Sequence, residues 1–389
     1  MQRIILGRTG LDVCRLGLGG IPIQRVSEAD AVATVRRAVE RGIDFIDTSR
    51  AYTTSERRIG LALKEAGIVT GRPAADETHD AAAAGRRGSD GHRRGAAGDG
   101  SGASGGRSGP APARRVVLAS KSHAKKADVM RTHLETSLTE LQVDYIDIYK
   151  AHFVATQDDY QTVVSPGGAL EALRKARDEG LIGHIGITSH SLDVLYRALD
   201  DGFFDVIMVC FSFLEPQAQQ TIIPKARERN IGVLAMKPFS GGAIEDGRLA
   251  LRYVLAEPGV VVLAGVEHPE LVDQNWGVFE EATRGESAAL AEEEIRQIAD
   301  LRQTFDKVFC RRCDYCQPCT EGIPIQTVLG ARYLVKRMGK ELLQKGPMWS
   351  AFEKARNCSD CGVCLSRCPY ELPIPDLIRG NLAWLDGLD

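Results

Sequence analysis

The sequence predicts an α/β protein in which a closed (β/α)8 barrel, the TIM-barrel architecture, precedes a small, mainly helical, cysteine-rich domain. Two observations lead to this prediction. Eight short apolar runs alternate with amphipathic stretches over the first two thirds of the 389-residue chain, and eight of its ten cysteines lie between Cys310 and Cys368. We place the barrel in residues 1–283 and the cysteine-rich domain in residues 284–389.

The eight apolar runs have the length and composition of buried β-strands. In chain order they read RLGLGG, IDFIDT, RVVLAS, YIDIYKAH, HIGITS, DVIMVC, IGVLAM and VVVLAG. The stretches between them carry apolar residues three and four positions apart and predict helices at 28–41, 127–141, 168–180, 191–201 and 217–229. Eight strands alternating with helices favour a closed parallel barrel. An open doubly wound sheet is the alternative, and the lack of a GxGxxG turn weighs against it.

Residues 71–113 interrupt this pattern between the second helix and the third strand. The segment contains no Ile, Leu, Val, Met, Phe, Tyr or Trp, so it has no side chains with which to build a core. We expect a disordered, low-complexity insertion on the barrel face opposite the carboxyl ends of the strands.

Charge and hydropathy narrow the functional classes. The net charge is −3 and the isoelectric point is near 6.3, so the chain lacks the basic character of nucleic-acid-binding proteins. No apolar run approaches the roughly 20 residues that span a bilayer, and the first residues lack the apolar stretch of a secretory signal. We therefore expect a cytoplasmic protein without membrane insertion, whose closely spaced thiols bind metal rather than form disulfides.

Polar residues follow the ends of three predicted strands. Asp47 ends the second strand, Tyr52 lies in the next loop, Lys121 ends the third strand and His152 ends the fourth. The carboxyl ends of barrel strands form the rim that carries catalytic groups. Tyrosine is a weak acid, but a neighbouring ammonium favours the phenolate and makes tyrosine a usable proton donor. A carboxylate can keep that lysine charged, and an imidazole can orient a carbonyl. The alternative is that these residues have separate structural roles, as a helix cap, a surface ion pair and a core histidine.

At these residues the chain resembles the aldo-keto reductase superfamily. The resemblance runs from ILGRTGLDVCRLGLGG through LRYVLAEPGVVVLAG to about Asn275, and it includes the spacing D-x4-Y-x2-SE. It implies a nicotinamide cofactor, NAD(H) or NADP(H), across the barrel mouth and a small carbonyl or alcohol substrate. It also implies that Asp47, Tyr52, Lys121 and His152 form a catalytic tetrad.

The cofactor contacts implied by the resemblance are only partly present. The residues at the corresponding positions that could still serve are Ser189, His190, Lys237 and Asn275. His190 stands where the family has an asparagine, while Met208 and Met236 replace a glutamine and a stacking tyrosine. Lys237 could bind a phosphate as a point charge; a solvated loop lysine is the alternative.

The basic residues that meet an adenosine 2′-phosphate in the family are also missing. Gly265 and Leu271 stand in their places. A dianionic phosphate requires charged donors, so we expect NAD(H) to bind at least as tightly as NADP(H).

The cysteines near the carboxyl terminus form two runs of four. These are Cys310, Cys313, Cys316 and Cys319, then Cys358, Cys361, Cys364 and Cys368. The second run is followed by Pro369 and matches the C-x2-C-x2-C-x3-C-P pattern of bacterial ferredoxins. Eight thiolates are the number that two [4Fe–4S] clusters require. Structural zinc, usually bound by two separated pairs of ligands, is the alternative.

This region resembles ferredoxin-type domains with two [4Fe–4S] sites. By that pattern one cluster takes Cys310, Cys313, Cys316 and Cys368, and the other takes Cys358, Cys361, Cys364 and Cys319. The first run departs from the pattern because Thr320 stands where proline usually follows, so a single cluster remains an alternative. The residues between the runs read as helical, which favours a helical ferredoxin module.

Two functions follow from these resemblances. In the first, an aldo-keto reductase-like enzyme acts on a small carbonyl or alcohol substrate while its clusters transfer electrons to or from a redox partner protein. In the second, the chain is a docking or electron-transfer protein in which the barrel no longer turns over nicotinamide and the clusters are structural.

Overall fold

The computed structural model describes residues 2–68, 70–71, 115–284, 289–346 and 348–388. The predicted insertion at 71–113 therefore lies, apart from its first residue, outside the described residues.

Eight parallel strands form a closed barrel, which confirms the predicted fold class. In chain order they are β3 (Leu16–Gly19), β4 (Phe45–Asp47), β5 (Val117–Ser122), β6 (Ile146–Ala151), β7 (Ile182–Ser189), β8 (Val206–Cys210), β9 (Gly232–Met236) and β10 (Val260–Gly265). Strand β10 pairs with β3 and closes the barrel, with Val262 opposite Leu16. Because all strands are parallel, their carboxyl ends form one rim.

A short antiparallel hairpin precedes the barrel and was not predicted. Its strands are β1 (Arg3–Ile5) and β2 (Asp12–Cys14). Leu6 and Val13 from this hairpin are fully buried in the apolar cluster that fills the barrel interior. Since this cluster includes Phe45 and Val206, the first residues of β4 and β8, the hairpin covers the amino-terminal end of the barrel, opposite the rim formed by the carboxyl ends of the strands.

Helices follow the barrel strands. They are α1 (Glu28–Arg41), α2 (Ser55–Glu65), α3 (Ala127–Leu141), α4 (Gln157–Val164), α5 (Ala169–Asp178), α6 (Leu192–Asp201), α7 (Gln217–Gln220), α8 (Ile222–Glu228), α9 (Gly247–Ala256) and α10 (Pro269–Thr283). Short 3₁₀ helices span Gly7–Thr9 and Pro22–Arg25. The predicted helices at 28–41 and 127–141 have the observed bounds.

The single helix predicted at 217–229 was wrong. The structure has two helices there, α7 and α8, which meet at Thr221 with φ −126° and ψ −80°. Pro224 supplies the physical reason, since it has no N–H to donate to Gln220 one turn earlier and its ring would crowd that carbonyl.

The carboxyl-terminal region is helical, as predicted. Its helices are α11 (Glu292–Phe305), α12 (Ile325–Leu329), α13 (Ala331–Met338), α14 (Lys340–Gln344), α15 (Trp349–Ala355), α16 (Val363–Arg367) and α17 (Ile374–Asp386). Helices α12, α15 and α17 enclose a separate apolar core built around residues such as Val328, Phe352 and Ile378. The cysteines pack against this core.

The helical region packs against the carboxyl-terminal rim of the barrel. Arg302 of α11 donates a 2.7 Å hydrogen bond to the carbonyl of Phe213, in the loop after β8. Phe309 is fully buried in the barrel's outer apolar cluster. No helix among the described residues is long and apolar enough to cross a membrane.

Candidate active site and cluster sites

Three of the four predicted catalytic residues line one groove at the barrel rim. These are Asp47 at the end of β4, Tyr52 in the loop after it and Lys121 in β5. Lys121 Nζ lies 2.7 Å from Asp47 Oδ2 and 4.6 Å from the centroid of the Tyr52 ring. The lysine ammonium therefore lies between the carboxylate and the phenol.

The environment of Lys121 keeps its ammonium charged. The residue is 1% exposed, and burial alone would lower its pKa, but the charges and hydrogen bonds of Asp47 and Tyr52 outweigh burial and raise the pKa. The carbonyl of Thr48 accepts a further hydrogen bond at 2.8 Å. A fixed positive charge next to the Tyr52 phenol is the electrostatic requirement for proton donation by tyrosine.

His152 joins the group from the end of β6. Its ring centroid is 6.3 Å from that of Tyr52, in an edge-to-face arrangement, and it stacks on His123 at 4.4 Å. Burial, assisted by the charge of Lys121, holds the pKa of His152 well below its ordinary value. His152 is therefore a neutral imidazole at neutral pH.

A threonine on the next strand orients this imidazole. Thr188 Oγ lies 2.7 Å from His152 Nδ1 and accepts a 2.9 Å hydrogen bond from the backbone N–H of Phe153. When the hydroxyl donates to Nδ1, the single proton of the neutral ring is on Nε2. Thr188 was missed in the sequence because a threonine in a strand carries no functional signal by itself.

A second buried lysine was also missed. Lys150 lies on β6, two residues before His152, and its Nζ is 2.9 Å from Asp47 Oδ1. Lys121 also donates to Oδ1, at 3.2 Å, so both ammonium groups share this oxygen of Asp47. Burial lowers the pKa of Lys150 to about 8, although Asp47 opposes this. The sequence does contain a signal for Lys150, because it is a lysine inside an otherwise apolar parallel strand. It lies two residues before His152, a spacing that places both side chains on the same face of the strand.

Both apolar and cationic side chains line the groove. Its volume is about 270 Å³, near the lower end of the range of ligand sites. Met208 and Met236 contribute to its floor, and Lys237 and Arg25 supply cations in addition to Lys121. Gly241 and Gly242 have φ values of +73° and +101°, a conformation that favours glycine and exposes the backbone to a ligand.

The four predicted cofactor residues do not all reach this groove. Lys237 lines it and lies 2.8 Å from His190 Nε2. His190 is deeply placed, and burial together with Lys237 holds its pKa well below the ordinary value. Ser189 is fully buried and donates to the Val154 carbonyl at 2.6 Å, while Asn275 lies on α10. Neither Ser189 nor Asn275 is among the groove-lining residues.

The two positions that replace the family's basic residues differ in location. Gly265 lines the groove, and Leu271 packs against the barrel's outer apolar core. Arg25 lies 3.6 Å from Glu267, so its charge is already matched by a carboxylate.

The eight tail cysteines surround two cavities. The inner set, Cys310, Cys313, Cys316 and Cys368, lines one cavity. The outer set, Cys319, Cys358, Cys361 and Cys364, lines the other. Cys316 also contributes to the wall of the second cavity, so the two sites are adjacent. The sets are those implied by the resemblance, in which each run gives one cysteine to the other site.

Electrostatic contacts among the thiols give the same grouping. Cys310 interacts with Cys313 and Cys368, and Cys316 interacts with Cys310. In the outer set, Cys364 interacts with Cys358, Cys361 and Cys319. The thiols of each set therefore face one another across their own cavity.

The donor chemistry fits clusters better than single ions. Among the described residues, no three His, Cys, Asp or Glu side chains converge closely enough to hold one metal ion, whereas each set of four thiols surrounds a shared cavity. In a cubane each thiolate binds a different iron, so the sulfurs stand further apart than around zinc. The buried Nε atoms of Arg311 and Arg312, next to the inner set, have no hydrogen-bond partner in the described chain and can donate to sulfur.

Burial also affects the free thiols. It raises the pKa of Cys310 to about 11 and that of Cys316 to about 12. Without a bound cluster these thiols are protonated at neutral pH, so binding of iron must release protons.

Arg312 connects the inner set to the barrel. It lies between Cys310 and Cys313 in the chain and pairs with Glu215, in the loop after β8, at 2.7 Å. Cys210, the last residue of β8, is close enough to both Arg312 and Lys237 for each cation to act on its thiol. The inner set is therefore near the groove wall. By contrast, Cys361 of the outer set is exposed.

Comparison with protein families finds two matches. The model described as the aldo/keto reductase family matches residues 15–80 and 103–249, together more than half of the chain. A 4Fe-4S dicluster domain matches residues 309–373, which contain all eight tail cysteines.

Individual relatives agree with the first of these matches. L-galactose dehydrogenase of Arabidopsis thaliana is 30% identical over 257 residues, covering 62% of this chain and 66% of that protein, so the chain spans about two thirds of that relative's length. An aldo-keto reductase of Bacillus halodurans, solved in its holo form, is 21% identical with a TM-score of 0.54 and covers 77% of this chain and 96% of its own. An aldo/keto reductase of Klebsiella pneumoniae, solved with NADP and acetate, is 22% identical with a TM-score of 0.54 and covers 77% and 95%.

At these identities the solved structures support the fold alone. The family match over more than half of the chain, on a barrel whose rim brings Asp47, Tyr52 and Lys121 into one groove, shows that this chain belongs to the aldo/keto reductase family and carries a 4Fe-4S dicluster domain at its carboxyl-terminal end.

Proposed function

We propose that the barrel reduces a small carbonyl compound, or oxidises the corresponding alcohol, with a nicotinamide cofactor bound in the groove. The observation that carries this proposal is the buried Lys121 ammonium between Asp47 and the Tyr52 ring, at the carboxyl ends of the strands. Bound nicotinamide supplies or accepts the hydride, and side chains of the protein transfer the proton and stabilise the charge that develops.

Tyr52 donates the proton. In the reduction, the carbonyl carbon gains a hydride and the carbonyl oxygen gains the phenolic proton, so that a carbonyl, a hydride and a proton give an alcohol. The Lys121 ammonium stabilises the phenolate that remains. Asp47 keeps Lys121 protonated despite its burial.

His152 orients the carbonyl. Its neutral ring, with the proton on Nε2 through the Thr188 hydroxyl, can donate a hydrogen bond to the substrate oxygen without carrying a charge. An uncharged donor leaves Tyr52 as the acid, because an imidazolium would compete to deliver the proton.

The cofactor fits the groove in two respects. Met208 and Met236 offer an apolar surface for the nicotinamide ring, and Lys237 with the open backbone of Gly241 and Gly242 can bind phosphate. Ser189 and His190 do not line the groove. Ser189 would support the loop after β6 through its hydrogen bond to the Val154 carbonyl, and His190 would support Lys237. Asn275 stays a prediction from the family resemblance.

We propose that NAD(H) binds at least as tightly as NADP(H). Gly265 and Leu271 carry no charge, and Arg25 already faces Glu267. The extra phosphate of NADP(H) would have to lose part of its hydration without a dedicated cation, which costs binding free energy.

The helical domain would bind two [4Fe–4S] clusters that relay electrons between a redox partner protein and the barrel. Each cluster would exchange one electron at a time, whereas nicotinamide transfers two electrons as hydride, so exchange between them would need a flavin or a partner protein as a two-electron mediator. The exposed Cys361 supports access of a partner to the outer site, and the ion pair of Arg312 with Glu215 supports a position of the inner site close to the barrel.

A panel of small aldehydes and ketones with NADH or NADPH tests this function in the anaerobically purified full chain. Tyr52→Phe keeps the ring and removes the acid, so turnover should fall by at least about 10². Tyr196→Phe is the matched control, because Tyr196 is a half-buried tyrosine of α6 that does not line the groove. Equal turnover in Tyr52→Phe and wild type would exclude Tyr52 as the acid.

The replacement of the glutamine and tyrosine by Met208 and Met236 favours the second function, a docking or electron-transfer protein. In that case neither cofactor would bind the full chain in calorimetry, although iron and sulfide would be present. Cofactor binding with turnover excludes this alternative.

A further inference from the structure

The Asp47 carboxylate binds two ammonium groups, of which the catalytic proposal uses only one. Lys121 Nζ lies 2.7 Å from Oδ2 and 3.2 Å from Oδ1, and Lys150 Nζ lies 2.9 Å from Oδ1. Both lysine side chains are almost fully buried, at 2% and 0% exposure. Since a buried ammonium is costly unless it is paired, an additional one beside the active site requires an explanation.

The barrel provides space for this second lysine. A Cβ atom at Gly186, on the neighbouring strand β7, would lie 2.7 Å from Lys150 Cγ and 3.3 Å from Cδ. The glycine therefore leaves a channel for the aliphatic part of the side chain, which extends inside the barrel toward Asp47. Any larger residue at position 186 would collide with it.

The ammonium of Lys150 has few partners. Asp47 is the one carboxylate within ion-pair distance among the described residues, and Nζ makes no hydrogen bond of good geometry to any group in that part of the chain, Asp47 included. The other charged or titratable groups that act on it or face it are Lys121 of β5 and His152 of its own strand. Lys150 is not among the groove-lining residues, so it acts through Asp47.

We propose that Lys150 is a positioning residue that shares Asp47 with Lys121 and thereby controls how firmly the carboxylate holds the catalytic ammonium. This rests on the function proposed above. When Lys150 is protonated, the three groups carry one net positive charge, which favours negative charge developing on the substrate oxygen. When Lys150 loses its proton, the three groups together carry no net charge, and Asp47 forms an ion pair with Lys121 alone.

The direction of the pH effect follows from burial. Burial lowers the pKa of Lys150 to about 8, so the extra charge is present below this pH and is lost above it. Carbonyl reduction should therefore weaken as the pH rises through about 8.

Lysine labelled with ¹³C at Cε in the full-length protein tests the proposal by NMR, independently of activity. Wild type should show one lysine signal that titrates near pH 8. This signal should be absent in Lys150→Met, a substitution that approximately keeps the length of the side chain and removes its charge. The signal of Lys121 should move to higher pH in Lys150→Met by at least about half a unit, because a like charge is gone and Asp47 is no longer shared.

The pH–rate profile provides the functional comparison. Between pH 7 and pH 9, kcat for reduction should fall about threefold more in wild type than in Lys150→Met. Ile148→Met is the control, since Ile148 is a buried residue of the same strand inside the barrel, and this change alters packing without altering charge.

The outcomes separate this proposal from the proposed function. An unmoved Lys121 signal in folded Lys150→Met overturns the sharing of Asp47, whatever the activity. If no lysine of wild type titrates below pH 10, the proposal fails without use of any variant. If the NMR shifts occur but the protein reduces no carbonyl compound, the electrostatic coupling stands and the proposed function is wrong.

Discussion

Replacing Asp47 by asparagine should destabilise the barrel because it leaves two buried lysines without their carboxylate. Lys121 and Lys150 are 1% and 0% exposed, and both ammonium groups lie within 3 Å of Asp47. Removing one partner of a buried ion pair typically costs about 3–5 kcal/mol, since an unpaired buried charge remains. For a barrel of this size, 3 kcal/mol corresponds to a fall of about 6 °C or more in the unfolding temperature.

The loss of stability in Asp47→Asn should depend on pH in a defined direction. Without Asp47 both lysines are easier to deprotonate in the folded state than in the unfolded chain, where their pKa is about 10.4. The unfolded state then binds more protons, so the stability of Asp47→Asn rises with pH. The gap to wild type should be large at pH 7 and should narrow as the pH approaches 10.

Thermal unfolding followed by circular dichroism at one scan rate, on anaerobic full-length protein, measures this effect. The double variant Asp47→Asn, Lys150→Met should recover part of the loss, because only one unpaired lysine remains. An unfolding temperature of Asp47→Asn within about 1 °C of wild type at pH 7, or a gap that widens with pH, would refute the reasoning.

Three further predictions concern the neighbouring sites. Thr188→Val removes the hydroxyl at His152 Nδ1 and should lower kcat/KM for reduction about tenfold, the equivalent of one hydrogen bond, whereas an unchanged kcat/KM would remove Thr188 from the site. Calorimetry on cluster-loaded protein should give NAD(H) an affinity at least equal to that of NADP(H), and a strong preference for the phosphorylated form would contradict the argument from Gly265 and Leu271. Cys368→Ser should damage the cluster of the inner set, and Cys364→Ser that of the outer set, with iron near four per chain in each variant and near eight in wild type. Stoichiometric zinc without acid-labile sulfide in wild type would exclude clusters.

The barrel could be predicted because its signals in the sequence are local. Each parallel strand is a short apolar run, and each helix has its own periodicity, as at Glu28–Arg41. The proximity of the rim residues Asp47 and Lys121 follows from the order of strands and helices, since all strand ends of a parallel barrel face the same way. The resemblance to ferredoxin-type domains likewise implied the two groups of four cysteines that line the two cavities.

Other features depend on contacts that no local pattern encodes. The pairing of Arg312 with Glu215 joins residues 97 positions apart. The role of Lys150 becomes visible only when Gly186 of the next strand leaves room for its side chain. Ser189 was predicted to contact the cofactor; its hydroxyl donates to the Val154 carbonyl, a contact that depends on how the loop after β6 folds back and that the sequence does not indicate.

Transfer of deuterium from nicotinamide labelled at C4 to a carbonyl substrate tests the central claim most directly. In anaerobic full-length protein, mass spectrometry of the product should find one deuterium on the new alcohol carbon, and Tyr52→Phe should slow its appearance by at least about 10². If the labelled cofactor binds and the protein carries its iron, but no product of any aldehyde or ketone in the panel contains deuterium, the barrel is not a hydride-transfer site.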